Sequence, residues 1–377
     1  MTPKISRFLA EKGPPTPCLV VDLDRVAANY VALREALPEA EIYYAMKANP
    51  APRLLSTLVE QGSSFDAASA EEIDQCLDVG IAPDRISYGN TIKKRRDIAR
   101  AYDRGVRLFA FDSDEELDKL AAEAPGARVF CRILTSSDGA DWPLSRKFGC
   151  DLDMARNLML KATDKGLEAH GISFHVGSQQ TDPEQWEIAI GRAAMVFSDL
   201  RERGLRPKML NLGGGFPARY RGDALPPMEQ FASAIMAAMA RHFGNDRPDM
   251  IIEPGRSITA DAGVIRTEVV LISRKAYGDP VRWVYFDVGK FGGLAETMDE
   301  AIRYPVATAY DGWPEGPVVI AGPTCDGADI LYDRYRYTLP LALKTGDIVD
   351  LLSAGAYTSV YASRAFNGFQ PMAEYYI

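Results

Sequence analysis

The sequence lacks the features that mark several large classes of protein. No stretch approaches the roughly 18 consecutive apolar residues of a membrane-spanning helix, and the first residues contain no apolar core of signal-peptide length. The 377 residues carry a net charge of −9 at pH 7, so nucleic acid and anionic membranes would repel the chain. Low-complexity tracts and tandem repeats are missing as well, which excludes repeat architectures.

Cysteine and histidine are scarce. The five cysteines are odd in number and widely scattered, and there are three histidines, so we expect neither a disulfide framework nor a clustered metal site. The chain also has no phosphate-binding loop of the G-x-x-x-x-G-K type and no dinucleotide-binding G-x-G-x-x-G motif. These absences predict a protein of the reducing cytoplasm that holds no metal.

Short apolar runs alternate with longer helical stretches between about Leu19 and Glu253. The runs are CLVV, EIYYAMK, SFDAA, RISYG, LFAFD, RVFCRIL, GISFHVG, LNLGGG and MIIEPG. Between them, segments such as 25–36 and 183–203 repeat apolar residues three and four positions apart. Apolar strands followed by helices are typical of parallel strands covered by helices. About eight such units predict a TIM barrel, with a doubly wound sheet as the alternative.

The residue pattern of the chain changes after Glu253. Segments such as RWVYFDVG, GPVVIAGPTC and DIVDLLSAGAYT are β-rich, with glycine and proline at the turns and little helical periodicity. They predict an antiparallel β domain, to which the opening residues can add a strand. The sequence therefore predicts an α/β protein, in which residues 20–252 form a TIM barrel and residues 1–19 with 253–377 form a C-terminal, discontinuous β domain.

Polar residues and glycines stand at the ends of several predicted strands. In a parallel barrel the chemistry collects at the carboxyl ends of the strands. Each such residue taken alone is more often structural than catalytic, but their recurrence at the same structural position indicates a site. The set consists of Lys47, Asp66, Arg132, His175, the glycines 213–215, Glu253 and Arg256.

Lys47 and His175 are the two candidates for covalent and acid–base chemistry. Lys47 follows an apolar strand in YYAMKANP, where its stem would be partly buried. Burial lowers the pKa of a lysine and makes the amine a nucleophile that can form a Schiff base. His175, in SFHVGS, could stack its imidazole on an aromatic ring, act as a general base or simply be a packed side chain.

Two further loops suit an anion and a ring nitrogen. Three consecutive glycines at 213–215 free backbone N–H groups to converge on a phosphate. In IIEPGRS, a tight turn presents Glu253 and Arg256, and the planar guanidinium of an arginine suits phosphate. A carboxylate is what a protonated pyridine nitrogen needs as its partner. A strand-end lysine, a glycine cradle, an arginine and such a carboxylate together match the needs of pyridoxal phosphate.

The β domain contributes candidates of its own. AGPTCDGADIL contains Cys325 and Asp326, which read either as a small apolar residue beside a turn acid or as a proton donor beside an ammonium-binding carboxylate. GAYTSVYASRAFNGF carries Tyr357 and Phe366, which would otherwise pass as core residues of the β domain.

Eight blocks of the sequence resemble the ornithine/diaminopimelate/arginine decarboxylase family, which has an alanine-racemase-like fold and uses pyridoxal 5'-phosphate. In order, the blocks are YYAMKAN, FDAASAEEI, SFHVGSQ, LNLGGGFP, EPGRSI, GPTCDGAD, GAYT and FNGF, and the resemblance spans residues 16–371. It implies that Lys47 is the Schiff-base lysine, His175 stacks on the cofactor ring and Glu253 pairs with the pyridine nitrogen. The implied phosphate contacts are Ser178, Gly214, Gly215, Gly255, Arg256 and Tyr357, and the implied supporting residues are Asp66, Glu72 and Arg132.

The resemblance also implies a homodimer with shared active sites. Cys325 and Asp326 would enter the partner's site, where Cys325 reprotonates the decarboxylated carbon and Asp326 binds the distal ammonium of the substrate. A second substrate-holding acid is expected in DVGKFGGLAETMDEAIRYP, where Glu296 and Asp299 both qualify and the spacing from Asp287 favours Asp299. Tyr357 is expected to contact substrate as well as cofactor.

The expected activity is therefore decarboxylation of a basic amino acid. GPTCDGAD is like the ornithine and lysine branch, so we expect L-ornithine to give putrescine and CO2, as in polyamine biosynthesis. A pocket separates substrates that differ by one methylene by only about 1–3 kcal/mol, so L-lysine is a realistic second substrate. The alternatives are a lysine-preferring enzyme, a diaminopimelate decarboxylase, an alanine racemase and a non-catalytic regulatory protein. The long biosynthetic arginine decarboxylases have insertions that 377 residues cannot accommodate.

Overall fold

The computed structural model describes residues 1–135, 140–142 and 147–377. They divide into two compact units, which we name the barrel unit (Ala27–Pro217 and Leu225–Gly255) and the β unit (Met1–Val26, Ala218–Ala224 and Arg256–Ile377). Three boundaries differ from those predicted. The barrel unit begins at Ala27 rather than at residue 20, and it ends at Gly255 rather than at residue 252. The segment Ala218–Ala224, predicted in the barrel, packs with the β unit.

The described residues form the following regular elements. The strands are β1 (Cys18–Val21), β2 (Ala40–Ala45), β3 (Ser64–Ala67), β4 (Ile86–Tyr88), β5 (Leu108–Phe111), β6 (Arg128–Arg132), β7 (Ala140–Trp142), β8 (Glu168–Ser173), β9 (Ser178–Gln180), β10 (Met209–Asn211), β11 (Asp249–Ile252), β12 (Gly263–Ser273), β13 (Arg282–Phe286), β14 (Val306–Thr308), β15 (Glu315–Ala321), β16 (Ile330–Pro340), β17 (Ile348–Leu352) and β18 (Ala373–Tyr376). The helices are α1 (Pro3–Lys12), α2 (Leu23–Ala36), α3 (Pro52–Glu60), α4 (Ala70–Asp78), α5 (Arg95–Asp103), α6 (Asp114–Glu123), α7 (Leu152–Asp164), α8 (Glu184–Glu202), α9 (Met228–Phe243) and α10 (Arg256–Thr259).

The predicted TIM barrel is confirmed. Its strands pair in the order β10-β11-β2-β3-β4-β5-β6-β8 and close on themselves, and every pair in the ring is parallel. Buried side chains from the strands fill the interior, among them Tyr43, Phe130, Met209 and Ile251. Parallel closure brings the carboxyl ends of all these strands to one rim of the barrel.

Helix caps fix several of the connections at that rim. Ser69 follows β3, and its hydroxyl accepts a hydrogen bond from the backbone N–H of Glu72 at the start of α4. Ser113 does the same for α6 after β5. Such caps satisfy backbone donors that the first helical turn leaves without partners.

Among the described residues, no helix combines the length and the hydropathy that a membrane crossing requires.

The β unit, which we predicted to be antiparallel, is a mixed sheet in which most pairs are antiparallel. Its order is β14-β17-β12-β13-β15-β16, and β1 pairs with both β12 and β18. The pairs of β13 with β15 and of β1 with β18 run parallel. The long connection through β14 lets β15 return in the direction of β13, which a short hairpin could not do.

The run CLVV does not belong to the barrel, where we had predicted it. It forms β1, whose Cys18 pairs with Arg266 of β12 and with Ala373 of β18. All four residues are fully buried, as in a barrel strand. Burial on both faces is therefore common to β1 and to the barrel strands, and only the pairing partners tell them apart.

Candidate active site

Lys47 lies at the rim of the barrel, immediately after β2. A single 3-10 turn, Met46–Ala48, follows the strand and carries Lys47 between two buried neighbours. Lys47 itself is exposed, so its amine lies outside the apolar interior in which we expected its stem to be partly buried. Its positive charge acts on Asp66 and His175, where it lowers the pKa of both groups. Lys47 is thus accessible and close to two other predicted site residues.

Asp66 comes from the next barrel strand, β3, and is buried. Among the described residues its Oδ1 atom has no hydrogen-bond partner. Burial and the negative charge of Glu253 raise the pKa of Asp66 well above its ordinary value, and Lys47 opposes them. A side chain at Gly89, which directly follows β4, would overlap the Asp66 carboxylate, so only glycine fits at this position. Asp66 is thus a buried acid beside a glycine that leaves space for its carboxylate, and among the described residues its Oδ1 atom has no hydrogen-bond donor.

His175 follows β8 and is held as a neutral imidazole. Its Nδ1 accepts a hydrogen bond from the backbone N–H of Gly177 at 3.0 Å, so that nitrogen carries no proton. Burial lowers the pKa of His175 well below its usual value, and the charges of Arg132 and Lys47 lower it further. A neutral imidazole is well suited to stack on an aromatic ring. It is less suited to act as a general base, because its low pKa disfavours the protonated form that follows proton abstraction.

Arg132 ends β6 on the same rim. Burial lowers the pKa of Arg132, while the carboxylates of Glu253, Asp112 and Asp66 act to raise it. Its Cζ atom lies 5.1 Å from the centroid of the Phe148 ring. Arg132 therefore supplies positive charge among the acids of the barrel unit, as a supporting residue should.

The glycines 213–215 form a loop that only glycine can build. Gly213 and Gly215 have φ angles of 66° and 103°, in the left-handed region. A Cβ on Gly214 would stand 2.6 Å from the backbone oxygen of Glu253 and 3.4 Å from Nε2 of His175. The absence of side chains leaves the backbone of this loop directly against His175 and Glu253.

Glu253 follows β11 and is fixed by a residue that we did not predict. Its Oε1 atom accepts a hydrogen bond from the side-chain amide of Asn211 at 2.5 Å. The side-chain oxygen of Asn211 in turn accepts from the backbone N–H of Gly213 at 2.8 Å. Asn211 thus links the carboxylate to the glycine loop. A polar residue inside the apolar run LNLGGG was the signal that could have identified it.

The remaining predicted residues of the barrel unit are close to the same rim. The Glu72 carboxylate accepts a hydrogen bond from the backbone N–H of Ala68, one residue beyond β3, at 2.6 Å. Burial raises the pKa of Glu72, and Lys47 acts to lower it. Ser178 begins β9, opposite Trp142 of β7. Gly255 is buried and ends the barrel unit, directly before Arg256 in the sequence.

In the β unit, Arg256 forms a buried ion pair with Glu296. The two carboxylate oxygens accept from Nη2 and Nη1 of Arg256 at 2.6 and 2.7 Å, and the side chains are 3% and 4% exposed. The hydroxyl of Tyr220 accepts from Nη1 at 2.9 Å, and the Tyr357 ring centroid lies 4.8 Å from Cζ. Glu296, which we predicted as one of two substrate-holding acids, therefore already has a cationic partner within the chain.

Asp299, the other predicted acid, is in a different environment. Its side chain is 88% exposed and lies 3.6 Å from Arg334, which is itself largely exposed. Its φ of 53° marks a kink within the 3-10 segment Ala295–Glu300. The structure thus separates the two candidates, since one carboxylate is buried and bound and the other faces solvent.

Cys325 and Asp326 lie on an exposed turn of the β unit. Both residues are exposed, as are the next two. The backbone N–H of Cys325 donates to the side-chain oxygen of Asn367 at 2.9 Å. The Phe366 ring, beside Asn367, packs on Phe291 with 4.8 Å between the centroids. Cys325 is therefore not a buried apolar residue of the core. Its thiol is exposed and accessible.

No metal site accompanies these residues in the part of the chain that the structure describes, since no three His, Cys, Asp or Glu side chains are grouped to hold an ion. The five cysteines are all free thiols. The donor set of the barrel rim suits a phosphorylated pyridine ring.

Two relatives with similar sequences are named for different roles. The lysine/ornithine decarboxylase of Selenomonas ruminantium is 39% identical over 94% of this chain and 88% of its own length. Antizyme inhibitor 2 of Xenopus laevis is 34% identical over 95% of this chain and 80% of its own length. This chain therefore has homologues named as enzymes and one named as an inhibitor protein.

Solved structures of the same fold are close over the whole chain. Lysine/ornithine decarboxylase from Vibrio vulnificus, complexed with cadaverine, has a TM-score of 0.88 and 31% identity over 99% of this chain and 97% of its own. Arginine decarboxylase of Paramecium bursaria Chlorella virus has a TM-score of 0.91 and 30% identity over 100% of both chains. The family model described as pyridoxal-dependent decarboxylase, pyridoxal binding domain, matches residues 23–260. On these grounds the chain belongs to the pyridoxal-dependent decarboxylases.

Proposed function

We propose that this protein decarboxylates L-ornithine to putrescine and CO2, and L-lysine to cadaverine as a second reaction. The observation that carries the proposal is the meeting of Lys47, Asp66, His175 and Glu253 at one rim of the barrel unit. The Selenomonas and Vibrio enzymes are named lysine/ornithine decarboxylases, and the latter binds cadaverine and putrescine, which supports the class of substrate.

The barrel rim has features that fit pyridoxal phosphate. Among the described residues, Asp66 Oδ1 is buried without a hydrogen-bond partner, which leaves it available to an incoming group. The glycine loop leaves its backbone uncovered against His175, and the depressed pKa keeps that imidazole neutral, as a ring-stacking role requires. When bound, pyridoxal phosphate supplies a protonated pyridine ring that draws off the electron pair left by departing CO2.

Each residue of the rim then has a distinct task. Lys47, with its accessible amine, would hold the cofactor as an imine. Glu253, fixed by Asn211 at 2.5 Å, would keep the pyridine nitrogen protonated. His175 would stack on the ring and exclude water from it. Asp66 and Arg132 balance the charges around these groups.

By family resemblance, the phosphate of the cofactor would be held by backbone and side-chain donors. They are Ser178, Gly214, Gly215, Gly255, Arg256 and Tyr357. Burial of Arg256 with Glu296 keeps its guanidinium in one orientation, which a fixed phosphate partner requires.

The β unit supplies the groups that meet the substrate. Cys325 delivers a proton to the substrate α-carbon after CO2 has left, and Asp326 binds the distal ammonium. We favour Asp299 over Glu296 as the second acid, because the Glu296 carboxylate is occupied by Arg256. We further propose that these groups act in the partner's site of a homodimer, in a reducing cytoplasm that keeps the five cysteines as thiols.

Arginine belongs among the substrates to be tested. The virus arginine decarboxylase matches this chain over the full length of both. A chain of this length therefore does not exclude arginine as the substrate, although it excludes similarity to the long biosynthetic arginine decarboxylases. Two substrates that differ by one methylene, such as ornithine and lysine, are discriminated by only roughly 10–200-fold in kcat/KM. Arginine differs more, because its guanidinium has a different shape and a different number of hydrogen-bond donors from an ammonium group.

The experiment is a substrate panel with a lysine control. Purified protein with pyridoxal phosphate is incubated with ornithine, lysine, arginine or diaminopimelate, and the amine released is identified by mass. We expect putrescine to form fastest, and Lys47→Ala to abolish it. Lys208→Ala, at a largely exposed lysine, should leave activity unchanged. If a different amino acid gives the highest kcat/KM, the assignment of ornithine is wrong.

A non-catalytic regulatory role is the second candidate, and the similarity to Antizyme inhibitor 2 favours it. The residues that the cofactor needs argue against it, since Lys47, His175, Glu253 and Arg256 are all in place. Cofactor binding separates the two roles. Protein that takes up no pyridoxal phosphate and releases no amine from any of the four substrates would support the regulatory role.

A further inference from the structure

The turn that carries Cys325 has a rigid base. The carboxylate of Asp329, which is 2% exposed, accepts from the backbone N–H of Lys290 at 2.8 Å. It also accepts from the backbone N–H and the hydroxyl of Thr324 at 3.1 and 2.7 Å. The N–H of Gly322 donates to the backbone oxygen of Asp329 at 2.8 Å and closes the turn. Residues 325–328 thus form an exposed tip on a fixed base.

A hydrogen bond from a distant segment also restrains Cys325 directly. Its backbone N–H donates to Asn367, a residue 42 positions away, at 2.9 Å. Asn367 has a φ of 51°, a conformation that asparagine adopts more readily than most residues. The neighbouring Phe366 ring packs on Phe291 with 4.8 Å between the centroids, which anchors the segment that carries Asn367. The amide oxygen is therefore presented to Cys325 from an anchored segment.

We propose that Asn367 is a positioning residue for Cys325, which fixes the side from which the thiol delivers its proton. The inference rests on the proposed function, in which Cys325 protonates the substrate. A single hydrogen bond is worth about 0.5–1.5 kcal/mol, enough to change the population of an exposed backbone conformation about fivefold. Without it, the peptide before Cys325 can rotate while the base of the turn stays in place.

The proton transfer that Asn367 would control can be followed by its stereochemistry. The bond between the α-carbon and the carboxylate carbon breaks and CO2 leaves. The electron pair left behind ends in a new carbon–hydrogen bond, formed with the proton of the Cys325 thiol. Solvent returns a proton to the thiolate. In heavy water the thiol exchanges to S–D, so a fixed donor gives a diamine with one deuterium on a single face of that carbon.

The test uses two substitutions of Asn367 and one control. Asn367→Gly removes the acceptor oxygen without a penalty for the positive φ, and Asn367→Asp keeps an oxygen at the same place. Asn245→Gly makes the same change at an exposed asparagine of the barrel unit. Each holoenzyme converts ornithine in heavy water, and we measure CO2 release and the enantiomeric purity of the monodeuterated putrescine. Asn367→Gly should raise the minor enantiomer about fivefold, with little change in CO2 release.

The remaining outcomes each decide a point. Asn367→Asp and Asn245→Gly should match the unmodified protein. Unchanged purity in Asn367→Gly overturns the positioning role, provided that Cys325→Ala lowers the purity in parallel. If Cys325→Ala also keeps full purity, the proposed role of Cys325 fails instead. Should Asn367→Gly not fold, Asn367→Ser, whose side chain is too short to reach the Cys325 N–H, carries the same test.

Discussion

The buried pair of Arg256 and Glu296 allows a direct test of the role of each acid in the segment Ala295–Glu300. Two hydrogen bonds of 2.6 and 2.7 Å join side chains that are 3% and 4% exposed. Glu296→Gln removes the negative charge and leaves the guanidinium buried without this counter-ion. Breaking a buried pair by removing one partner costs about 3–5 kcal/mol. We expect a loss of that size in the free energy of unfolding of the cofactor-free protein.

Asp299→Asn provides the matched control within the same segment. The Asp299 and Arg334 side chains are 88% and 70% exposed and lie 3.6 Å apart. Exposed pairs of this kind contribute about 0–1 kcal/mol, so the control should remain within that range of the unmodified protein. Urea unfolding of the three cofactor-free proteins, followed by circular dichroism and by tryptophan fluorescence, measures the difference and checks that both signals report one transition.

A substrate-holding role for Glu296 predicts the opposite pattern. A carboxylate kept for the substrate ammonium would add little to the stability of the free protein, and Glu296→Gln would mainly raise the KM for ornithine. Stability within about 1 kcal/mol of the unmodified protein, together with a KM raised at least about tenfold, would refute the assignment of Glu296 to Arg256. In that case Asp299 loses its place as the favoured acid.

Three further predictions concern the cofactor, the dimer and one buried lysine. Glu253→Ala should leave the protein folded but lower kcat by several powers of ten, because an unprotonated ring draws electrons poorly; near-normal turnover would reduce Glu253 to a turn residue. Lys47→Ala and Cys325→Ala should each be nearly inactive, yet after subunit exchange the mixture should recover about a quarter of the activity, because half of the dimers are mixed and each then has one intact site. A mixture that stays inactive after proven exchange would mean that Cys325 serves its own subunit. Burial lowers the pKa of Lys93 from 10.5 to about 8. Between those values the unfolded chain binds more protons than the folded one, so stability gains a rising contribution from pH 8 towards pH 10. Lys93→Met should flatten that rise in unfolding experiments across the range, and an unchanged slope would contradict it.

The fold could be predicted from the sequence except where two kinds of strand look the same. Eight of the apolar runs close into the barrel, because a parallel strand covered on both faces is apolar throughout. CLVV has the same appearance, since β1 is as fully buried as LFAF in β5. Its partners, β12 and β18, lie more than two hundred residues away, and no local pattern identifies them.

The candidate site could be predicted where chemistry is local and not where it depends on distant contacts. Lys47, Asp66, His175 and Glu253 stand at strand ends, which a sequence pattern locates. Asn211, Tyr220 and Asn367 act on partners that are 42, 36 and 42 residues away in the chain, and their local surroundings say nothing of those partners. The sequence left Glu296 as a candidate beside Asp299 for the same reason, because Arg256, which binds its carboxylate, precedes it by 40 residues.

The pairing of β1 with β12 and β18 sets the order in which the β unit can be completed during synthesis. Cys18–Val21 precedes all the barrel strands in the chain, but its parallel partner Ala373–Tyr376 follows about 350 residues later. At roughly 5–20 residues per second, the ribosome needs on the order of 20–70 s to make that stretch. Throughout this time an apolar strand waits with an unpaired edge, which is a template for wrong association. The barrel strands are all made before β12, so the barrel has its full set of partners while the β unit still lacks its last strand.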